Sequence, residues 1–128
     1  MPAENIPEEI VQFIAVYLRS VEQMEILLLV HGRADVKWSV QSVYDVIVSS
    51  KPSVERWLEE FVRLRFFQKT ADVPATYFFE GTEEITRQVA QLAELYKTKP
   101  VRVIEAIFKR DRDPAQSFAD AFKIKKQP

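Results

Sequence analysis

The sequence has no cysteine, two glycines and one histidine in 128 residues. The lack of cysteine excludes disulfide bonds and thiolate chemistry and is typical of a cytosolic protein. With His31 as the sole histidine, a zinc site is not expected, and we predict neither a metal nor a cofactor. No apolar run approaches the length of a membrane span, Ile26 to Val30 being an example of five residues, and the acidic N-terminus lacks the basic start of a secretion signal. We therefore expect a cytoplasmic protein without a membrane segment.

The chain also lacks the basic excess of a dedicated nucleic-acid-binding protein. Eighteen Lys and Arg residues against nineteen Asp and Glu give a net charge of −1. Residues 109–128 hold six basic and three acidic residues, net +3, so the other 108 residues hold twelve and sixteen, net −4. Because cations supply most non-specific affinity for phosphates, the composition argues against broad electrostatic binding outside the basic tail. That tail suits docking on an acidic surface or nucleic acid, or simply keeps the chain in solution.

No catalytic arrangement is recognisable. The chain has no glycine-rich phosphate loop, no nucleophile elbow and no metalloprotease motif. Three pairs of adjacent glutamates occur, but adjacent helical side chains point about 100° apart and cannot converge as an acid–base couple. The pairs are Glu8/Glu9, Glu59/Glu60 and Glu83/Glu84. We predict that the protein is not an enzyme.

The size and composition indicate a single folded domain over residues 1–128. An apolar fraction of 47% with 12% aromatic residues is that of a globular protein with a real core. We place the core at about residues 20–80, with terminal helices at about 7–19 and 82–122. Gly32 is expected to end the second helix in a left-handed conformation, and Asp113 to begin a last short helix.

Residues 39–80 contain the most informative pattern. Ser39 is a good N-cap for a short helix that ends at Ile47, and residues 48–52 read as a turn. A longer helix is predicted over Ser53–Leu64, followed by strands at 66–70 and 76–80 around a proline-containing turn. This is the order of a helix-turn-helix with a β-hairpin wing, in which the second helix normally enters the DNA major groove.

The whole element order resembles the winged helix-turn-helix superfamily, in particular the small bacterial transcriptional regulators of MarR-like type. The resemblance covers roughly residues 20–108. It implies a mainly α fold with a small β-hairpin wing (α+β) and flanking N- and C-terminal helices. It further implies that the fourth helix reads double-stranded DNA, that the wing touches the backbone and that terminal helices form a homodimer.

This chain departs from that family at three places. Arg65 stands where the family commonly has glycine. The wing loop, residues 71–75, has no Lys or Arg and carries Asp72. The outward face of the fourth helix carries three glutamates, Glu55, Glu59 and Glu60.

The candidate DNA-contacting residues surround the fourth helix. Lys51 and Ser53 lie at its start, where amides and a basic side chain can hold a phosphate. Arg56 lies one turn further on, where a guanidinium can reach a guanine edge. Arg63 and Lys69 complete the set. The alternative is a solvated face with intrahelical ion pairs, Glu59 to Arg63 being the favourable i, i+4 order.

Aromatic and aliphatic residues suggest a second kind of surface. Tyr77-Phe78-Phe79 must expose at least one ring if it is a strand, because side chains alternate between faces. The run of apolar residues from Ile85 to Phe108 exceeds what a small winged core needs, which favours a homodimer or packing against the N-terminal helix. The alternative function is therefore a winged-helix protein-interaction module with a protein partner and no DNA binding.

Overall fold

The computed structural model describes residues 6–109. The predicted helix beginning at Asp113 and all but Lys109 of the net-basic tail lie outside the described residues.

The described chain is mostly helical, with one small sheet, as predicted for the fold class. In chain order the elements are α1 (Glu8–Tyr17), α2 (Val21–Gly32), β1 (Trp38–Ser39), α3 (Val40–Val46), α4 (Lys51–Arg63), β2 (Phe67–Lys69), β3 (Thr76–Phe79), α5 (Glu83–Thr98) and α6 (residues 100–109). None of these described helices is long and apolar enough to cross a bilayer.

The sheet is a β-hairpin extended by one short strand. Strands β2 and β3 pair antiparallel, with Phe67 opposite Phe79 and Lys69 opposite Tyr77. Strand β1 pairs antiparallel with the other edge of β3, so the order is β1-β3-β2. The predicted wing is thus present, and the short strand β1 joins it.

Serine residues cap the two helices of the helix-turn-helix. Ser39 and Ser42 form a capping box at the start of α3, which confirms Ser39 as the N-cap. Helix α4 is capped by Ser50, whose hydroxyl accepts from the Ser53 amide at 3.2 Å. The predicted start at Ser53 was therefore late, because Pro52 is tolerated in the first turn, where no helical amide partner is needed.

The left-handed backbone position lies at Arg65 and not at Gly32. Gly32 is the last residue of α2, as predicted, but neither glycine has a positive φ, so the predicted left-handed conformation of Gly32 is wrong. Arg65, directly after α4, has φ 67°. The residue that stands where the resembled family has glycine thus takes the conformation that glycine favours.

The chain divides into two compact units, Glu22–Glu94 and the flanking segments on either side of it. In the first unit, aromatic rings link α4 to the sheet: Phe61 lies 4.9 Å from Phe67, and Phe67 lies 6.4 Å from Phe79, measured between ring centroids. In the flanking unit, the buried residues are Ile10, Phe13, Ile14, Leu18, Val103 and Ile107. The single domain predicted over residues 1–128 stays a prediction.

Candidate nucleic-acid interface

Helix α4 has one buried and one exposed side. Val54, Leu58 and Phe61, spaced four and three residues apart, are completely buried, which is the spacing of a single helical stripe. On the remaining surface, Lys51, Glu55, Arg56 and Arg63 are exposed. The polar face of this helix is therefore open to solvent within the described chain.

The N-terminus of α4 is tied to the first turn of α2 through one carboxylate. Glu22 accepts hydrogen bonds from the Ser49 hydroxyl at 2.6 Å and from the Ser53 hydroxyl at 2.9 Å. Ser53, predicted to contact DNA, therefore already donates its hydroxyl hydrogen to an acid. Lys51 is exposed, and its Nζ lies 5.7 Å from the centroid of the Tyr44 ring.

Arg56 lies on the exposed side, one turn into the helix. Its guanidinium lies 5.2 Å from the centroid of the Trp57 ring, a cation–π arrangement that leaves the N–H donors available. Among the described residues neither Arg56 nor Lys51 takes part in a salt bridge. These two are the predicted contacts with no acidic partner.

Arg63 is held by Glu60 in a two-pronged ion pair. Its Nε donates at 3.0 Å and its Nη2 at 2.5 Å to the two carboxylate oxygens. The hydrogen bond that Arg63 donates to Glu60 raises the pKa of the Arg63 guanidinium. The predicted i, i+4 pair of Glu59 with Arg63 is wrong, because Glu59 is engaged by the sheet and the i, i+3 neighbour takes its place.

Glu59 connects α4 to both strands of the wing. Its Oε2 accepts from Lys69 Nζ at 2.6 Å and from the Tyr77 hydroxyl at 2.6 Å. The Lys69 hydrogen bond, followed by that of Tyr77, lowers the pKa of the Glu59 carboxyl. Burial, and then the hydrogen bond to Glu59, raises the pKa of Tyr77. Lys69 is thus paired with an acid at the edge of the candidate interface.

The tip of the wing offers no cation. Val73 is 97% exposed, and beside it lies the exposed Asp72. Asp72 lies in a turn organised by Thr70, whose Oγ1 accepts from the amides of Asp72 at 3.3 Å and Thr76 at 3.1 Å. A wing loop of this composition attracts no phosphate by charge.

His31 is built into the packing of the first unit. Its ring meets Phe79 edge to face, with 4.9 Å between the centroids. Burial lowers its pKa, so the imidazole is neutral at physiological pH. No group of three or more metal-ligating side chains occurs among the described residues.

Sequence reasoning located the helix but missed the acids that engage its donors. Glu22 lies 27 residues before Ser49 and 31 before Ser53, a separation that no local pattern reports. Glu59 was easier to single out from the sequence, because a glutamate on the outward face of the fourth helix departs from the resembled family. What the sequence did not show is that the carboxylate turns toward Lys69 and Tyr77.

The structure resembles those of a transcription regulator and a heme sensor protein. It matches "MepR, a transcription regulator of the Staphylococcus aureus multidrug efflux pump MepA", with a TM-score of 0.51 and 14% identity over 91% of this chain and 87% of that one. It also matches the heme sensor protein PefR from Streptococcus agalactiae in complex with heme, with a TM-score of 0.51 and 12% identity over 89% of this chain and 82% of that one. Heme-free PefR gives a TM-score of 0.51 and 12% identity over 89% and 87% of the two chains.

No protein-family model matches the sequence, and neither does any curated protein. At such low identity the likeness concerns the fold. Helix-turn-helix, wing and flanking helices together give this chain the winged-helix fold of MarR-like regulators.

Proposed function

We propose that the protein is a non-catalytic, cytoplasmic transcriptional regulator that binds double-stranded DNA through α4. The observation that carries this proposal is the open polar face of α4, on which Lys51 and Arg56 have no acidic partner among residues 6–109. Both proteins named above, MepR and PefR, share the fold, and the first is described as a transcription regulator. Their likeness supports the proposal at the level of architecture.

In this proposal the N-terminal half of α4 makes the direct contacts. Lys51 holds a backbone phosphate at the start of α4, which suits the positive end of the helix dipole. Arg56 reaches a base edge, guanine being the usual partner of a guanidinium in the major groove. Three predicted contacts can reach a phosphate only after giving up the hydrogen bond to their glutamate, namely Ser53, Arg63 and Lys69.

A homodimer is part of the same proposal. Val101 is 63% exposed and Phe108 52% exposed on α6, seven residues apart and so close to one face of that helix. Apolar side chains at that spacing suit a contact with a second copy of the chain. The dimer would present two copies of α4 to one duplex.

The test is to measure DNA binding of the full chain by fluorescence anisotropy over a range of salt concentrations. Two unpaired cations predict a slope of log K against log salt of about −2 per bound chain. Arg56→Ala is expected to weaken binding by roughly 1–3 kcal/mol and to reduce that slope by about 1. Arg102→Ala, which removes an exposed arginine from α6, is the matched control and should leave both quantities unchanged.

If the wild-type chain binds no duplex even at about 20 mM salt, the regulator proposal is wrong, since electrostatic binding is strongest there. If it binds, but Arg56→Ala and Arg102→Ala behave alike, α4 is not the contact surface.

The charge of the first unit favours a second candidate function, a protein-interaction module. Residues 22–94 hold eight basic and twelve acidic residues, net −4. Tyr77 is 2% exposed and cannot be a contact, whereas the neighbouring Phe78 is half-buried, with Lys37 Nζ 5.7 Å from its ring centroid. A chain that binds no DNA at low salt, and loses a protein partner on Phe78→Ala, would establish this alternative.

A further inference from the structure

Four donors around α4 share one property, which is that each gives its hydrogen bond to a glutamate of the same chain. Ser49 and Ser53 donate to Glu22, Arg63 donates to Glu60, and Lys69 donates to Glu59, with distances from 2.5 to 3.0 Å. The Arg63 Nε bond is the longest of the set at 3.0 Å. Three of these donors are predicted DNA contacts, namely Ser53, Arg63 and Lys69.

A carboxylate and a phosphate diester make the same demand on such a donor. Both present anionic oxygens to N–H and O–H groups, and both form short charge-assisted hydrogen bonds. A phosphate that approaches Lys69 or Arg63 therefore meets a donor already engaged and a second negative charge beside it. Either the carboxylate leaves, or two anions repel each other at close range.

The acids are held where they are by more than the exchangeable donors. Glu59 accepts a second hydrogen bond from Tyr77, a residue that is 2% exposed and so cannot turn away with the ligand. The lowered pKa of Glu59, caused first by Lys69 and then by Tyr77, keeps its carboxylate ionised near neutral pH. Glu22 accepts from two hydroxyls at once, which resists its displacement by a phosphate at either one.

We propose that Glu22, Glu59 and Glu60 form an autoinhibitory clamp, in which three carboxylates occupy the places of DNA phosphates on Ser49, Ser53, Arg63 and Lys69. This inference rests on the proposed function, because it assumes that α4 faces a duplex. On α4, the clamp leaves Lys51 and Arg56 as the cations without an acidic partner among the described residues. Affinity is therefore low and falls gently with salt, although the chain contains enough cations for a stronger complex.

Charge-neutral, equal-sized substitutions release the donors without removing them. In Glu59→Gln the amide oxygen still accepts from Tyr77, and Lys69 loses its ionic partner. In Glu60→Gln the same happens to Arg63. The double variant is expected to bind a mixed-sequence duplex about tenfold more tightly at low salt. Its salt slope should steepen from about −2 to about −4 per bound chain, since two more phosphate contacts form.

Glu55→Gln is the matched control. Glu55 is exposed on the same helix and takes part in no salt bridge among the described residues. Its substitution removes the same charge but frees no donor, so the slope should stay near the wild-type value. Comparing slopes separates released contacts from a general loss of negative charge.

Three results decide the matter. A steeper slope in the double variant but not in Glu55→Gln supports the clamp. An unchanged slope in a double variant that melts at the same temperature as the wild type overturns the clamp. In that case a loss of binding on Arg56→Ala would still uphold the proposed function. If the double variant does not fold, Glu60→Gln is tested alone, because its partner Arg63 is 69% exposed and the fold depends little on this pair. A salt slope unchanged from the wild type in that variant again overturns the clamp. Absence of DNA binding by every variant at low salt overturns both proposals.

Discussion

Arg65 occupies a backbone conformation that most side chains avoid. Its φ of 67° places it in the left-handed region directly after α4, at the turn that leads into β2. The Arg65 amide donates to the Val62 carbonyl at 3.0 Å, and the Phe66 amide to the Phe61 carbonyl at 2.9 Å, so this turn closes the helix. A Cβ in this region costs on the order of 1–2 kcal/mol relative to glycine.

We therefore expect Arg65→Gly to stabilise the chain by about 1 kcal/mol, after allowing for the greater freedom of glycine in the unfolded state. The measurement is the urea midpoint of unfolding, with an unchanged m value. Arg65→Ala is the control, because it removes the same side chain and keeps the Cβ. If both variants shift the midpoint equally, the side chain and not the backbone sets the stability of this turn.

At the scale of elements, the hydrogen bonds of Glu59 join α4 to the wing. One carboxylate oxygen receives a hydrogen bond from β2 through Lys69 and from β3 through Tyr77. Because these bonds lower the pKa of Glu59, the Glu59 carboxylate binds a proton more weakly in the folded state than in the unfolded state. The stabilisation is present above the ordinary value of 4.5 and is lost as the pH falls through the lower folded value.

The difference in unfolding free energy between wild type and Glu59→Gln should accordingly narrow from pH 7 to acid pH. Glu59 is 41% exposed, so solvent screening limits the difference at pH 7 to about 1 kcal/mol or less. Urea unfolding at pH 7 and below the ordinary glutamate value measures it. Glu55→Gln, on the same helix, should show no comparable pH dependence. A wild-type advantage that is equal at both pH values would contradict this account of the α4–wing connection.

Local patterns were enough to predict the elements. Ser39 marked the start of α3, and the two strand-like runs around a proline-containing turn marked β2 and β3. The start of α4 was misplaced because Lys51-Pro52 looks like a turn, although proline suits the first helical turn.

The hydrogen-bond partners within the site were harder to predict than the position of the site. Three of the five predicted contact residues donate to glutamates, and two of them donate to a glutamate in another element: Ser53 to Glu22 and Lys69 to Glu59. Such pairs depend on how α2, α4 and the sheet pack against one another. Periodicity within one element carries no information about that packing. Even the intrahelical pair was assigned to the wrong neighbour, because the sheet takes up Glu59.

At the scale of the whole molecule, fold and charge point in different directions. The fold is that of MarR-like regulators, while the first unit, Glu22–Glu94, is net acidic, and its cations Arg63 and Lys69 are paired with glutamates. The proposals made above reconcile the two by assigning DNA contact to the N-terminal half of α4 and internal pairing to the rest. Weak, salt-tolerant binding is the expected behaviour of such a surface.

The most direct test of that division is an NMR titration of the isotope-labelled full chain with a mixed-sequence duplex at about 20 mM salt, where electrostatic contacts are strongest. We expect the largest amide shift changes at residues 50–56 and much smaller ones at residues 63–69. Shift changes centred on the wing strands, or confined to residues outside α4, would contradict the account.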